Sequence, residues 1–98
     1  MIDKKVSAKG TKARVSFELP AEAAENSVAV VGDFNEWNPE ANPMKLLKKG
    51  TWKATISLDT GSNYQFRYLL DNQTWRNDEE ADAYVPNEFA EENCVLEL

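Results

Sequence analysis

The feature of this sequence that most restricts its fold is a two-residue alternation of apolar and polar side chains. Between Thr11 and Leu19, every second residue is apolar, and the residues between them are lysine, arginine, serine and glutamate. Thr51–Leu58 shows the same alternation, and in Tyr64–Leu70 an aromatic or aliphatic residue recurs at every second position. A period of two is typical of a β-strand with one buried face, whereas a helix repeats every 3.6 residues. The sequence therefore predicts an all-β protein.

Shorter segments complete the predicted set of strands. Val28–Phe34 is a nearly continuous apolar run, which indicates a strand covered on both faces. Further short strands are predicted at Met44–Lys48, at or beside Trp75, and at Cys94–Leu98, and Asp59–Asn63 is expected to be a hairpin loop. Six or seven short strands in 98 residues predict an immunoglobulin-like antiparallel β-sandwich of about seven strands.

The length of 98 residues predicts one domain that spans residues 1–98. Ala21–Glu25 is the one segment with helical composition, but it is too short to form a stable helix and is expected to be a loop or a single turn. The first ten residues are mostly polar, so residues 1–10 are expected to be a frayed N-terminal segment.

Composition excludes several classes of function. The chain has 17 acidic and 11 basic side chains, and this formal charge of −6 argues against nucleic acid as a partner. No apolar run approaches the roughly 20 residues of a membrane span and no hydrophobic signal region is present, so we expect no membrane partner and a cytoplasmic location. The absence of histidine excludes Ser-His-Asp catalysis and histidine-bound zinc. With one cysteine, Cys94, which is expected to be a small apolar core residue, the sequence predicts no disulfide, no metal and no cofactor.

The aromatic residues fall into two groups. Those on the apolar stripes are expected to lie in the core: Phe17, Trp52, Tyr64, Phe66 and Tyr68. Trp37 and Trp75 instead lie among asparagine, glutamine, threonine, aspartate and arginine. A large ring in a polar segment either closes one end of the sandwich or presents its face to a ligand, and both alternatives are open at this point.

A sugar is a natural partner for an exposed indole. The C–H groups of a pyranose form a slightly positive apolar face, and the aromatic ring carries the negative end of its quadrupole on its own face. The surrounding hydroxyls need paired donors and acceptors. Side chains of this kind occur near both tryptophans: Asn35, Asn38, Arg67, Asn72, Gln73 and Asn77.

Three segments of the sequence resemble a known family. The segments are Val30–Trp37, which contains Gly-Asp-Phe-Asn-Glu-Trp, then Tyr64–Asp71, and then Trp75 with Asn77-Asp78. They resemble the isoamylase N-terminal early-set domain, which is the family-48 carbohydrate-binding module, and the resemblance extends over roughly residues 11–98. The resemblance implies a sandwich of seven or eight strands that binds an α-1,4-glucan oligo- or polysaccharide, as in glycogen-binding members of the family.

The resemblance also implies a site. Two tryptophans of the family flank the sugar chain and correspond to Trp37 and Trp75, while Arg67 stands where the family has a lysine that contacts hydroxyls. Phe89 is the implied apolar contact from the last loop, and Asn93 is the implied polar contact before the last strand. The sequence departs from the family pattern between those two positions, because glutamate occupies the place of a threonine. Asn35, in the first segment, completes the predicted set.

Three functions remain in competition. The first is a non-catalytic α-glucan-binding module with a tryptophan platform, and the second is a module of the same fold that docks on a glucan-metabolising enzyme or another protein. The third is an enzyme that uses the carboxylates of residues 78–82, although a solvated acidic loop is the simpler interpretation of that segment. For Arg67, the alternative to a sugar contact is a surface ion pair with Asp71 or Glu36.

Overall fold

The computed structural model describes all 98 residues and is almost entirely β-structure. It contains nine strands, β1 (Ile2–Val6), β2 (Lys12–Pro20), β3 (Val28–Gly32), β4 (Lys45–Leu46), β5 (Thr51–Asp59), β6 (Asn63–Leu70), β7 (Thr74–Arg76), β8 (Ala83–Pro86) and β9 (Glu92–Glu97). The two helical segments are single 3-10 turns, Ala21–Ala23 and Asp33–Asn35. No helix is long and apolar enough to cross a membrane.

The strands form two antiparallel sheets packed as a sandwich. Sheet A has the order β1-β2-β5-β4, and sheet B has the order β3-β6-β9-β8. β7 also pairs with β6, alongside the second half of that strand, whereas β9 pairs with its first half. This arrangement confirms the predicted immunoglobulin-like sandwich, with nine strands rather than about seven.

The core lies between the sheets and contains most of the residues that the alternation selects. Tyr64, which was also expected there, is only partly buried and packs against the core cluster. Fourteen buried side chains from both sheets form one cluster, in which Phe17, Phe66 and Tyr68 have no exposed surface and Trp52 is 7% exposed. Phe17 packs edge-on against Phe66 with ring centroids 5.2 Å apart, a favourable aromatic geometry. Cys94 is fully buried in the same cluster, and this burial raises the pKa of its thiol, as expected for an apolar core residue.

Two local predictions were wrong. Residues 1–10 were expected to fray, but β1 pairs with β2 from Ile2 opposite Phe17 to Val6 opposite Ala13. The edge of β2 would otherwise be unpaired, and Ile2 packs on the core, so pairing outweighs the polar composition. Asp59–Asn63 was expected to be a hairpin loop, but it joins β5 in sheet A to β6 in sheet B and therefore crosses between the sheets.

Gly32 marks the point where β3 comes closest to β6. A Cβ atom at this position would lie 2.4 Å from the carbonyl oxygen of Gln65 and 2.8 Å from Cβ of Phe66. Neither atom belongs to a flexible side-chain end, so a larger residue would push the two strands apart. The glycine therefore fixes the start of the polar turn that follows β3.

Asp78 is the one buried charged side chain and joins three parts of the sandwich. Its carboxylate accepts hydrogen bonds from the hydroxyl of Tyr68 at 2.6 Å, from the backbone N–H of Glu80 at 2.7 Å and from the Met1 amino group at 3.0 Å. Burial alone would raise the pKa of Asp78, but these donors outweigh it and hold the pKa below its ordinary value. The acidic segment 78–82 is thus partly structural.

Candidate functional site

A concavity of about 740 Å³ lies on the outer face of sheet B. Ten residues line it: Asp33, Trp37, Gln65, Arg67, Trp75, Asn87, Glu88, Phe89, Glu91 and Asn93. Three of them are aromatic, and the others are amide or charged residues, so the surface combines ring faces with hydrogen-bonding groups.

The floor of the concavity comes from strand alternation. Phe66 and Tyr68 are buried in the core, so Gln65 and Arg67 project to the opposite face of β6. A series of amide groups continues from this floor into the last loop. Asn87 Nδ2 donates to Asn93 Oδ1 at 3.0 Å, and Asn93 Nδ2 donates to Gln65 Oε1 at 3.1 Å. These bonds orient three amides that also line the concavity.

Trp37 is anchored from two sides. Its indole N–H donates to Asp33 Oδ1 at 3.1 Å. Its ring packs on a small apolar cluster on the outer face of sheet B, formed by Ala29, Val31 and Leu69. The apolar residues that made β3 look covered on both faces are therefore covered on the outer side by this indole.

The backbone at Trp37 is strained. Glu36 and Trp37 both have left-handed conformations, with φ of 57° and 58°. A bulky residue rarely adopts this region, which costs roughly 1–2 kcal/mol per residue. Turn hydrogen bonds hold it in place, including the one from the Trp37 N–H to the carbonyl of Gly32 at 2.9 Å. Such strain is concentrated at functional sites.

Trp75 borders the concavity next to Arg67. Trp75 lies opposite Leu69 in the β6–β7 pair and is 43% exposed. The guanidinium carbon of Arg67 is 5.9 Å from the centroid of the Trp75 ring, within cation–π range. Arg67 Nε donates to Asn77 Oδ1 at 2.8 Å, and Nη1 donates to Glu91 Oε1 at 2.6 Å. The expected alternative partners of Arg67, Asp71 and Glu36, are therefore not the ones observed.

The loop between β8 and β9 supplies the rim. Phe89 is 74% exposed at its tip, the largest exposed fraction among the aromatic residues of the chain. Asn87 Oδ1 accepts the backbone N–H groups of Phe89 at 2.9 Å and Glu91 at 3.1 Å, which shapes the loop. Ala90 completes the turn with a φ of 60°.

The structure brings together five of the six residues that the sequence predicted for the site: Trp37, Arg67, Trp75, Phe89 and Asn93. Asn35 was expected among them, but it does not line the concavity. Its side chain accepts the N–H of Gly32 at 3.0 Å and donates to the Val30 carbonyl and to Asn42, so it is committed to the turn after β3.

Gln65 and Asn87 line the concavity but were not predicted from the sequence. Gln65 shares the outward face of β6 with Arg67, so the alternation that placed Arg67 outward also placed Gln65 there. Asn87 precedes the last strand in a loop without periodicity, and no sequence pattern points to it.

The charge of the concavity is negative. Asp33, Glu88 and Glu91 contribute three carboxylates, while Arg67 contributes the one cation. Two of these carboxylates already accept protein donors: Asp33 binds Trp37 and the backbone N–H of Gln65, and Glu91 binds Arg67. The open groups that remain are the ring faces, the amides, part of the guanidinium and the carboxylate of Glu88.

The fold and this surface define the chain as an immunoglobulin-like β-sandwich domain with an aromatic concavity on one sheet. Residues 5–85 match the family model described as carbohydrate-binding module 48 (isoamylase N-terminal domain). The match covers most of the chain, which therefore belongs to this carbohydrate-binding module family. The earlier resemblance is thus confirmed.

The chain is also similar to much longer proteins. Over 43 residues it is 40% identical to the 1,4-alpha-glucan branching enzyme GlgB 2 of two strains of Xanthomonas campestris pv. campestris. The aligned segment is 43% of this chain and only 6% of those enzymes. The chain therefore corresponds to a small part of these relatives.

Proposed function

We propose that the chain is a non-catalytic module that binds α-1,4-glucan on the outer face of sheet B. The observation that carries the proposal is the single concavity lined by Trp37, Trp75 and Phe89, with Arg67 and the amides beneath them. Aromatic faces match the C–H faces of glucose units, and the amides and the guanidinium match their hydroxyls. Membership of a carbohydrate-binding module family supports the same conclusion.

The same residues support the non-catalytic part of this proposal. Glycoside hydrolysis needs two carboxyl groups placed on either side of the scissile bond. Asp33 and Glu91 are engaged in holding Trp37 and Arg67, and Glu88 remains as the one free carboxylate of the concavity. Incubation with maltoheptaose should therefore release no new reducing ends.

Titration with maltoheptaose tests the binding proposal directly. Because the site is shallow and open, we expect a Kd of roughly 10 μM to 1 mM. Backbone amide shifts should change on β6, β7 and the β8–β9 loop, together with tryptophan fluorescence, since Trp37 and Trp75 line the site while Trp52 is buried. A β-1,4-linked oligosaccharide of equal length is the matched control. No response at tens of millimolar maltoheptaose would overturn the proposal.

A glucan-metabolising enzyme is the second candidate partner. The observation that favours it is the similarity to part of a branching enzyme, in which the matching segment belongs to a far longer chain. Calorimetric titration of this chain into a purified bacterial branching enzyme tests the contact. The cytoplasm is the proposed compartment, which imaging of a fluorescently tagged chain would test.

A further inference from the structure

The charges of this acidic protein are divided between its two sheets. Of its 11 cationic side chains, only Arg67 and Arg76 lie outside sheet A and the turns that join its strands. Sheet A with its turns contains three of the 17 acidic residues, Asp3, Glu18 and Asp59. Sheet A is therefore cationic, although the formal charge of the whole chain is −6.

The outer face of sheet A contains two pairs of like charges in direct register. Lys5 on β1 lies opposite Arg14 on β2, and Lys45 on β4 lies opposite Lys53 on β5. Like charges at directly opposite positions of an antiparallel pair are destabilising. Folding therefore gains nothing from either pair.

These cations are poorly neutralised within the protein. Lys5, Arg14 and Lys45 form no ion pair, and Lys53 lies 3.9 Å from Glu18, which is also shared with Lys49. A shallow depression of about 420 Å³ lies between the charged pairs and has no hydrophobic residue in its lining. Its residues are Asp3, Lys5, Arg14, Ser16, Lys53 and Thr55.

We propose that the outer face of sheet A is a docking surface for an acidic polypeptide. The two cation pairs are four residues apart along the strands, a separation of about 14 Å, which exceeds the span of one phosphoryl group. Between them lie the hydroxyls of Ser16 and Thr55, 3.2 Å apart, with Asp3 opposite Ser16. One hydroxyl donates to the other, and the hydroxyl that accepts can donate its own hydrogen to a further carboxylate. The absence of apolar residues from the depression disfavours a membrane surface, and the acidic remainder of the chain disfavours a polyanion as long as a nucleic acid.

This surface and the aromatic concavity are on opposite outer faces of the sandwich, because one belongs to sheet A and the other to sheet B. An acidic partner on sheet A would leave the concavity open. The domain can then join two molecules at once.

Titration of the ¹⁵N-labelled protein with an N-acetylated decaglutamate peptide tests the proposal. At low salt we expect amide shifts on β1, β2, β5 and β4, with affinity that falls at least fivefold when 0.3 M salt screens the charges. The double variant Arg14→Glu/Lys45→Glu should weaken binding at least tenfold. Its melting temperature should rise, because each like-charge pair becomes an opposite-charge pair.

A matched control carries the same charge change elsewhere. Lys9 and Lys48 lie in exposed turns rather than on the sheet face, so Lys9→Glu/Lys48→Glu should bind decaglutamate within threefold of the wild type. If both double variants weakened decaglutamate binding equally, binding would depend on net charge alone, and the proposal would be overturned. The proposal would also be overturned if the peptide did not bind, or if its amide shifts were confined to sheet B. Tighter binding of duplex DNA or phosphatidylserine vesicles at the sheet A face would overturn it as well.

Discussion

The two tryptophans of the concavity should respond differently to the same substitution. Trp37 is half-buried, packs on Ala29, Val31 and Leu69, and donates its indole N–H to Asp33. Trp75 is 43% exposed and lies on the three-residue strand β7 beside the Arg67 side chain. We predict that Trp37→Ala lowers both stability and glucan affinity, whereas Trp75→Ala lowers affinity alone.

The stability cost of Trp37→Ala follows from the covered area. An indole side chain buries about 150–250 Å² when fully enclosed, so roughly 100 Å² is a fair value for a half-buried ring. At about 25 cal/mol per Å², this area contributes about 2.5 kcal/mol to the free energy of unfolding. For a domain of this size, that corresponds to a fall in melting temperature of roughly 10–20 °C. Trp75→Ala should stay within about 1 kcal/mol of the wild type, because 43% of its surface is already exposed and it lies on a three-residue strand.

The assay combines thermal unfolding with titration by maltoheptaose. Each variant should lose about 1–3 kcal/mol of binding free energy, as aromatic stacking platforms do for other ring ligands. A Trp37→Phe variant is the control, since it retains part of the packing. A melting temperature for Trp37→Ala equal to that of the wild type would refute the packing argument, and wild-type affinity in Trp75→Ala would remove this residue from the site.

Three further predictions concern single groups. Arg67→Ala should weaken maltoheptaose binding by about 1–2 kcal/mol and also lower the melting temperature, because the Arg67 side chain is only 11% exposed and its loss leaves Asn77 and Glu91 without their donor; unchanged affinity by calorimetry would contradict its role in binding. Gly32→Ala should destabilise by about 1–3 kcal/mol in urea unfolding, because its Cβ would lie 2.4 Å from a backbone oxygen, and an unchanged midpoint would disprove this close approach. The pKa of Asp78 is lower in the folded state than its unfolded value of about 3.9, so its stabilisation is complete above that value and is lost as pH falls further. Melting temperatures of Asp78→Asn should accordingly depend less on pH between about 5 and 2.5 than those of the wild type, and equal slopes would count against the role of Asp78.

Periodicity predicted the parts of the fold in which one face of a strand is buried. It identified the core positions of Trp52, Phe66 and Tyr68, and it placed Arg67 on the outer face. β1 was not predicted because four of its five residues are exposed. A strand that pairs with the edge of β2 but buries little surface shows no apolar alternation in its sequence. β8 was missed because it has only four residues and ends in a proline.

Residues of the concavity were predictable where the residue type has one common structural role in a polar segment. They were less predictable where the residue type has two such roles. An exposed tryptophan in a polar segment points to a surface, and both tryptophans do line the concavity. An asparagine serves equally well as a ligand contact or as a turn-forming group, and Asn35 forms a turn while Asn87 and Asn93 line the concavity. The charge difference between the sheets could not be predicted from the sequence for another reason. The order of the strands within each sheet decides which charges share a face, and this order differs from the order along the chain.

The crossing of residues 59–63 between the sheets has a consequence for how fast this domain folds. Because β5 and β6 do not pair, each sheet depends on pairing between strands that are far apart in the chain. In sheet A, β2 pairs with β5 and Lys12 lies opposite Asp59, and in sheet B, β6 pairs with β9 and Asn63 lies opposite Glu97. Chain closure over such distances costs entropy before any pairing energy is gained, so folding should take milliseconds to seconds, on the order typical of β-sandwiches. Newly made chains would expose the edge of β6 during that interval. The lysines near the edge strands of sheet A protect that sheet from self-association, but β6 and its neighbours in sheet B have no such protection until β9 is in place.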